Sequence, residues 1–180
     1  MTPRSENQST ILLRELRLDD EAPFVQALNS WPGDDSFMWG GPEKDQSFSD
    51  YSKLLEKNKS GIDLPSDRVE DTILFAFNNK GEITGRANIR HRLNDFLLKI
   101  GGHIGYAVPP NHRKNGYGTE ILRQALVYCK EELRLDRALV TCDENNIGSQ
   151  KIILNNNGFL ENQEDNGPGR PLKNRYWITL

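Results

Sequence analysis

The chain has 180 residues, a length that suits one domain with one buried core, and we expect a single domain over residues 1–180. Charged residues make up 27% of it and hydrophobic residues 36%, which is the composition of a globular protein and excludes the disordered and fibrous classes. With 23 Lys and Arg against 26 Asp and Glu, the net charge of −3 offers no overall positive field to a nucleic-acid backbone, so nucleic acid is not an expected partner.

The cysteines and the apolar runs narrow the class further. Cys129 and Cys142 are too few for a disulfide framework and are not spaced as metal ligands, so we expect reduced, buried thiols and no metal. The longest apolar run, residues 73–77, is far shorter than a membrane-spanning helix, and residues 2–6 lack the apolar region of a signal peptide. The sequence therefore predicts a cytoplasmic protein that does not associate with membranes.

The first third of the chain predicts a strand followed by helices. Residues 11–18 end in an alternation typical of a strand, and Asp19 and Asp20 offer a cap for a helix over 21–28. Residues 31–65 are rich in Gly, Pro, Asp and Ser, with one helix expected in the middle. Because it is the least regular part of the chain, this stretch is the expected substrate-facing region.

The middle of the chain predicts three strands. Residues 72–77 and 82–90 are β-rich runs separated by an Asn-Asn-Lys-Gly turn, which predicts an antiparallel hairpin because Asn and Gly tolerate positive φ. Residues 97–108 form a third apolar run, interrupted by three glycines. Glycine within a strand pattern marks a bulge or the close approach of another backbone or a ligand, so we expect a distorted central strand.

The last third predicts two helices and the closing strands. After Gly116, apolar residues recur at helical spacing as far as Leu133, which indicates an amphipathic helix. Residues 138–142 predict a short buried strand, residues 148–155 a second helix, and residues 176–180 a terminal strand. The order is thus a strand, two helices, three strands, then helix, strand, helix and closing strands.

The most informative segment is residues 113–118, Arg-Lys-Asn-Gly-Tyr-Gly, which we name the glycine loop. It follows a strand that ends at Val108 and a rigid Pro-Pro corner, and it opens the amphipathic helix. Amides in a first helical turn have no internal partners, and the helix dipole adds partial positive charge. The two glycines let a phosphate approach, and Arg113 and Lys114 add charge. The loop is therefore a predicted pyrophosphate site.

ATP, NAD and CoA all carry such a phosphate pair. A P-loop requires Gly-Lys-Ser/Thr, whereas Gly118 is followed by Thr119 and Glu120. A dinucleotide-binding fingerprint requires glycine or alanine where Ile121 stands, in a loop that leaves the first strand of a parallel βαβ unit. Both alternatives fit poorly. An ordinary glycine turn before a helix is the remaining alternative, which the basic residues and the flanking strand and helix disfavour.

The loop and its surroundings resemble motif A of the GNAT acetyltransferase superfamily, whose pattern is Gln/Arg-x-x-Gly-x-Gly/Ala. A later stretch is similar to the second motif of that family, Asn-x-x-Ala/Ser leading to Gly-Phe. Residues 89–94 and 101–106 also resemble a branch of predicted acetyltransferases whose substrate is unknown. The matching residues are Tyr106, Val108 and 113–119 for motif A, and Asn146, Ser149, Gly158 and Phe159 for the second motif.

The resemblance implies the GNAT fold, of α+β type, with a mixed and mostly antiparallel central sheet of about six or seven strands flanked by about four helices. It implies acetyl-CoA as co-substrate, with pyrophosphate on the loop amides and pantetheine paired to the strand edge at residues 107–108. Asn146 would reach the cofactor arm, or else cap the helix that starts near Gly148. The implied cofactor-binding residues are Ala107, Val108, Arg113, Lys114, Asn115, Gly116, Tyr117, Gly118, Thr119 and Asn146.

The sequence lacks the usual general acid of the family and offers one candidate base. Many GNAT enzymes use a tyrosine on the second-motif helix as general acid, but residues 151–157 of this chain contain none. His103 is the candidate catalytic base, because it lies in the central strand near the expected thioester and its ordinary pKa suits neutral pH. The alternative is a structural histidine bonded to a neighbouring strand.

Other residues have weaker claims, each with a structural alternative. His91 is a candidate for the acceptor pocket, and His112 for the surroundings of the phosphates. Asp143 and Glu144 could receive a proton through water. An acceptor wall of aromatic side chains could be formed by Trp31, Phe37 and Trp39.

The sequence thus predicts an acetyl-CoA-dependent N-acetyltransferase acting on a primary amine, in a small molecule or at a protein amino terminus or lysine. The acceptor is not identified, and a homodimer is left open as the assembly. The alternatives are a non-catalytic acyl-CoA-binding sensor and, from the phosphate loop alone, a nucleotide-binding fold.

Overall fold

The structure of the chain is a computed structural model, and it describes residues 10–31, 41–43 and 45–180. Phe37 and Trp39, two of the aromatic residues considered for the acceptor wall, lie outside these ranges. The strands are β1 (Ile11–Arg14), β2 (Asp71–Asn78), β3 (Ile83–Arg90), β4 (Ile104–Ala107), β5 (Arg137–Asp143), β6 (Phe159–Glu164) and β7 (Lys173–Thr179). The α-helices are α1 (Glu21–Asn29), α2 (Phe48–Ser60), α3 (Tyr117–Glu131) and α4 (Ile147–Asn155). Over the described ranges, every helix is too short or too polar to cross a lipid bilayer.

The strands form two antiparallel sheets, one in the order β1-β2-β3-β4 and one in the order β5-β7-β6. They meet at β4 and β5, where the backbone N–H of His103 donates to the carbonyl of Leu139 at 2.7 Å. The predicted α+β fold with a mostly antiparallel sheet and flanking helices is confirmed, as are the hairpin formed by β2 and β3 and the helix expected in the middle of residues 31–65.

Helix α3 packs against one face of the four-stranded sheet. Its residues at helical spacing are buried, as the amphipathic pattern predicts: Ile121, Leu122, Ala125, Leu126 and Cys129. They contact Leu74 and Ala76 of β2 and Ala87 and Ile89 of β3, all in one apolar core. Gln124 of the same helix donates to the Ile11 carbonyl at 2.9 Å and accepts from the Leu13 N–H at 2.8 Å. Its amide thereby satisfies the outer edge of β1.

Helices α1 and α2 cover the opposite face of that sheet. The ring of Phe24 on α1 lies 5.3 Å from Phe48 and 5.2 Å from Tyr51 on α2, and 5.6 Å from Phe75 on β2. Because side chains alternate along a strand, Phe75 faces α1 and α2 while its neighbours Leu74 and Ala76 face α3. The four-stranded sheet is therefore buried on both faces, which explains why β2 and β3 are almost continuously buried.

The expected strand over residues 97–108 is wrong over its first half. Leu97–Gly101 form a turn of π-helix, started by Asn94, whose side chain accepts from the Leu97 N–H at 2.9 Å. Gly102, with φ 66°, ends it, and a Cβ there would lie 2.7 Å from the Leu139 carbonyl oxygen. Only glycine can make that reversal at that contact, and the chain then enters β4.

Two predicted ends are also corrected. The first strand stops at Arg14 instead of residue 18, because Asp20 turns back to bind the Arg14 guanidinium at 2.8 Å and the Arg17 N–H at 2.7 Å. Asp20 precedes α1 as expected, but its side chain makes no cap hydrogen bond to that helix. The terminal strand begins earlier than predicted, at Lys173, since it pairs with β5 on one side and β6 on the other.

Candidate functional site

A cavity of about 680 Å³ opens where β4, the glycine loop, the start of α3 and the start of α4 come together. Its volume lies within the range of small-molecule sites. The predicted cofactor-binding residues that line it are Ala107, Val108, Arg113, Lys114, Gly116, Tyr117, Gly118, Thr119 and Asn146. Asn115 is not in the lining; its side-chain amide donates to the carbonyls of His112 at 3.2 Å and Arg113 at 3.3 Å, which holds the loop in shape.

The glycine loop turns sharply at two positions of positive φ, Lys114 at 65° and Gly116 at 79°. A Cβ at Gly116 would meet nothing within 4 Å, so glycine is needed there for its φ and not to avoid a clash in the folded chain. Alternation between right- and left-handed backbone conformations turns successive N–H groups toward one point, the arrangement that binds anions. The loop therefore has the local backbone of a phosphate site.

The loop leads directly into α3, and no side chain of the described residues caps the N-terminus of this helix. The first amides of a helix lack intrahelical partners, and the dipole of this 15-residue helix adds partial positive charge at the same end. A Cβ at Gly118 would lie 2.6 Å from Cδ1 of Ile152 on α4, so this glycine lets the two helices meet closely. Uncapped amides, a dipole and an adjacent helix define one wall of the cavity.

Two cations flank this wall. Arg113 and Lys114 are both exposed, and the Arg113 Nε donates to the Val108 carbonyl at 3.0 Å. That hydrogen bond ties the loop back to the end of β4. A ligand with negative charge would find backbone N–H groups and full positive charges within the same short segment.

Beyond the contact between His103 and Leu139, β4 and β5 belong to different sheets in the part of the chain that the structure describes. β4 is hydrogen-bonded to β3 along its other edge, with Ala107 opposite Arg86. Ala107, the last residue of β4, and Val108 after it therefore line the cavity where, among the described residues, the second edge of the strand is not part of a ladder. This is the geometry in which an extended ligand can add to a sheet edge.

Asn146 lines the cavity and also caps α4, since its Oδ1 accepts from the Ser149 N–H at 3.0 Å. Ser149 and Ile152 follow on the same face of α4 at intervals of three residues, and both line the cavity. The Tyr106 hydroxyl donates to the Ser149 carbonyl at 3.4 Å, and burial raises the pKa of Tyr106. These contacts join β4 to α4 across the base of the cavity.

Tyr106, Ser149, Ile152 and Gly148 were not among the residues predicted to bind cofactor. Tyr106 and Ser149 belong to the two motifs that carried the family resemblance, and Ile152 continues the three-residue spacing that begins at Asn146. Helical spacing from a predicted ligand residue is thus a signal that could have found two of them. No comparable signal marks Gly148, which lines the cavity because α4 begins there.

His103 is buried, with 6% of its surface exposed, and is not among the residues that line the cavity. Its Nδ1 accepts a hydrogen bond from the backbone N–H of Leu139 at 2.9 Å, and its ring packs edge-on against Trp177. Burial, and next the positive charge of Arg90, lower the pKa of His103 to about 4. The contact is that of the structural alternative, a histidine bonded to the neighbouring strand.

Of the remaining candidate residues that the structure describes, two line the cavity and three do not. Trp31 and His112 line the cavity, and the His112 ring lies 6.0 Å from that of Tyr117. The His91 Nε2 lies 2.8 Å from the Thr72 hydroxyl, away from the cavity lining. Asp143 forms an ion pair with Lys173 at 2.6 Å, and Glu144 accepts from the Leu172 N–H at 3.2 Å.

Comparison with known proteins points to one family. Residues 10–159 match a family model described as the acetyltransferase (GNAT) domain. The chain is 30% identical over 106 residues to the uncharacterized N-acetyltransferase YnaD of Bacillus subtilis strain 168. That match covers 51% of this chain and 62% of the relative, so the chain spans less than two thirds of that relative's length.

Solved structures have the same fold along most of the chain. An acetyltransferase of the GNAT family from Bacillus anthracis superposes with a TM-score of 0.61 at 18% identity, covering 94% of both chains. The spermidine N-acetyltransferase of Vibrio cholerae, solved in complex with CoA and spermine, gives a TM-score of 0.63 at 17% identity and covers 95% of this chain and 96% of its own. At these identities the likeness concerns the fold alone.

Proposed function

Because the chain belongs to the GNAT acetyltransferase family, we propose that it moves the acetyl group of acetyl-CoA to a primary amine, by direct attack within a ternary complex. The observation that carries this proposal is the cavity of about 680 Å³, in which the glycine loop and the uncapped start of α3 face the start of α4. Such a cavity suits a ligand with a charged, phosphate-bearing end and a long arm.

The residues around the cavity fit CoA in chemistry as well as in position. The amides at the start of α3 and the charges of Arg113 and Lys114 would hold the pyrophosphate. The backbone at Ala107 and Val108, at the end of β4, would hold the pantetheine arm by strand-like hydrogen bonds. Acetyl-CoA supplies an activated thioester, and the chain supplies the orientation that brings an amine to it.

The proton balance of this reaction sets what the chain must provide. As the amine nitrogen bonds to the acetyl carbon and the carbon–sulfur bond breaks, the starting ammonium loses two protons; one ends on the sulfur and the other in solvent. In the cavity wall the hydroxyl of Ser149 has no hydrogen-bond partner among the described residues, and that of Tyr106 has one long bond. We assign to Ser149 the relay of the first of these protons: its hydroxyl donates a proton to the departing sulfur and takes one back from the nitrogen.

His103 does not fill the role of base in this proposal. Its Nδ1 lone pair is used by the Leu139 N–H, and a pKa of about 4 leaves the ring neutral and weakly basic at neutral pH. We assign it a positioning role instead, because it forms the junction of the two sheets at the point beyond which β4 and β5 diverge.

The test is thiol release on incubation with acetyl-CoA and a mixed panel of primary amines. We expect release of CoA that depends on the amine, and a Ser149→Ala variant with unchanged CoA affinity but a kcat lowered at least about a hundredfold, in keeping with the usual contribution of a proton donor. The sensor alternative gives the opposite result, binding of CoA without thiol release for any amine. Protection against heat by ATP or NAD, but not by CoA, would favour a nucleotide-binding protein.

A further inference from the structure

Three polar side chains lie together on the face of the sheet that carries α1 and α2: Asp71 of β2 with Asn88 and Arg90 of β3. We name them the β3 cluster. Asp71 is the register partner of Arg90, and Asn88 is the register partner of Gly105 on β4. Residues directly opposite each other in a sheet share a face, so the cluster lies on two adjacent strands and borders β4 at Gly105. It lies on the face opposite to Tyr106 and α3.

Asp71 is buried, and Asn88 and Arg90 are half-buried, yet the hydrogen bonds of the cluster are incomplete. Asp71 is 5% exposed, and its Oδ2 accepts from the Asn88 side-chain amide at 2.7 Å. Within the described ranges, the remaining oxygens, Oδ1 of Asp71 and Oδ1 of Asn88, have no hydrogen-bond partner. A buried polar atom without a partner costs on the order of 1–3 kcal/mol, so these oxygens are suited to a ligand that brings donors.

The guanidinium of Arg90 also makes fewer hydrogen bonds than its donors allow. The one hydrogen bond that its guanidinium makes to the described residues goes to the Gly101 carbonyl at the long distance of 3.4 Å. Burial lowers the pKa of Arg90, with the charge of Asp71 acting in the opposite direction, so the two groups sense each other. Nevertheless no ion pair joins them among the residues described, although they are register partners. A purely structural pair would be expected to close into a direct, bidentate contact.

The position of the cluster links it to the cavity. A Cβ at Gly105 would lie 3.2 Å from Nη1 of Arg90, so the missing side chain lets the guanidinium lie directly against β4. Gly105 lies between two residues with known contacts. Before it, His103 donates a hydrogen bond to Leu139 of β5, and after it, Tyr106 lines the cavity. The cluster therefore lies close to the point where β4 and β5 separate, on the face of the sheet opposite to α3.

We propose that the acceptor is an amine that also carries a carboxylate, of the α-amino acid class, with Arg90 binding the carboxylate and Asp71 and Asn88 binding the ammonium group. This inference rests on the proposed acetyl transfer. A ligand with both charges supplies a partner to each incomplete member of the cluster: N–H donors to the two oxygens, and a flat, bidentate anion to the guanidinium.

The charge of this face also disfavours a polyamine. Arg86, the next β3 residue on the same face, is buried at 9% exposure, and burial lowers its pKa to about 10, still charged at neutral pH. A polycation would have to approach two arginines, and like charges brought together in a poorly solvated site repel strongly. The acceptor of the spermidine N-acetyltransferase with the same fold is therefore not the acceptor class that we infer here.

The experiment compares matched acceptors that differ only in the carboxylate. Each L-amino acid is assayed beside its carboxamide and its decarboxylated amine, and kcat/KM is measured by thiol release. We expect the acids to be preferred by at least about tenfold, since a hydrogen-bonded charge contributes about 1.5–3 kcal/mol. Arg90→Gln and Arg90→Lys should raise KM for the acids about tenfold and reduce the preference to less than about threefold, with the affinity for acetyl-CoA unchanged.

Arg92→Gln is the matched control, since Arg92 is an exposed arginine two residues further along that pairs with Glu70. It should keep the wild-type preference. If Arg90→Gln does not fold, the inference is still tested by the preference for acids in the wild type and by its reduction in Arg90→Lys. Carboxamides or plain amines that react as well as the acids overturn the inference and leave the proposed acetyl transfer intact. If no amine is acetylated, the proposed function fails, and calorimetric titration of L-amino acids into the CoA-bound protein decides the inference: absence of binding overturns it.

Discussion

The two faces of β4 present contrasting ways to build a binding surface. On one face, the glycine loop and the start of α3 offer backbone N–H groups, two left-handed turns and exposed cations, all within residues 113–119. On the other, the buried Asp71 and the half-buried Asn88 and Arg90 are brought together by the register of a hairpin. A ligand common to a whole family can be met by a backbone motif, whereas selection among acceptors calls for side chains that differ from protein to protein.

The largest effect is expected on the loop side, from Gly118→Asp. A carboxylate at this position would face the phosphates with like charge, and at about 4 Å and an effective dielectric constant of about 20 the repulsion is on the order of 4 kcal/mol. We expect the dissociation constant of CoA, measured by calorimetry, to rise at least about a hundredfold.

Gly118→Ala separates charge from space. Its Cβ would meet the Cδ1 of Ile152 at 2.6 Å, the end of a flexible side chain that can move, so a weaker loss of affinity is expected. Equal losses in both variants would show that helix packing, and not anion binding, is what this glycine serves. The glycine loop would then no longer be an example of anion binding by backbone groups.

The same contrast explains what the sequence could predict. The loop and α3 were predictable because their signals are local: the glycines and the basic residues stand next to an apolar pattern of helical period. The β3 cluster was not, because Asp71 and Arg90 meet only through the register of a hairpin, and Gly105 joins them only after β4 pairs with β3. His103 was predicted within the central strand and lies directly before β4, and its partner, Leu139, lies on a strand that only long-range contacts bring next to it.

The π-helical turn over Leu97–Gly101 is a further instance of the same limit. Its apolar residues and glycines are typical of a distorted strand, and the choice between the two was made by contacts with β5 and β7. The Thr141 hydroxyl donates to the Ile100 carbonyl at 2.6 Å, and the Arg175 Nε donates to the Leu98 carbonyl at 3.0 Å. Tertiary hydrogen bonds of this kind override local preference and leave no trace in the segment itself.

The next largest effect concerns His103, which stands where the two faces meet. Its pKa falls from an ordinary 6.5 to about 4 in the folded chain, because burial disfavours the charged ring. The unfolded chain therefore binds the proton more readily, so this group's contribution to stability is complete above about pH 6.5 and is lost as the pH falls toward 4. Between pH 7 and pH 5 the loss attributable to His103 is about 2 kcal/mol.

Urea unfolding at pH 7 and pH 5 checks this expectation in the wild type and in His103→Gln, whose side-chain oxygen can still accept from the Leu139 N–H. Burial also lowers the pKa of His91, and carboxylates add their own dependence, so the difference between the two proteins is the informative quantity. We expect the variant to lose about 2 kcal/mol less than the wild type on acidification. Parallel losses would mean that His103 is not the buried neutral group described above.

The smallest change in CoA affinity is expected from substitutions of Arg113, and it separates the side-chain charge from the backbone amides of the glycine loop. This exposed residue donates to the Val108 carbonyl through Nε, and it also brings a full charge to the anion site. Arg113→Ala removes both contributions and should raise the dissociation constant of CoA about tenfold, while Arg113→Lys keeps the charge and should raise it only about threefold. Because an exposed charge is screened by salt, the gap between the two variants should narrow at about 1 M salt, where the Debye length is about 3 Å. Equal losses for Ala and Lys that do not respond to salt would assign the residue to holding the loop against β4, leaving the backbone amides and Lys114 to bind the anion.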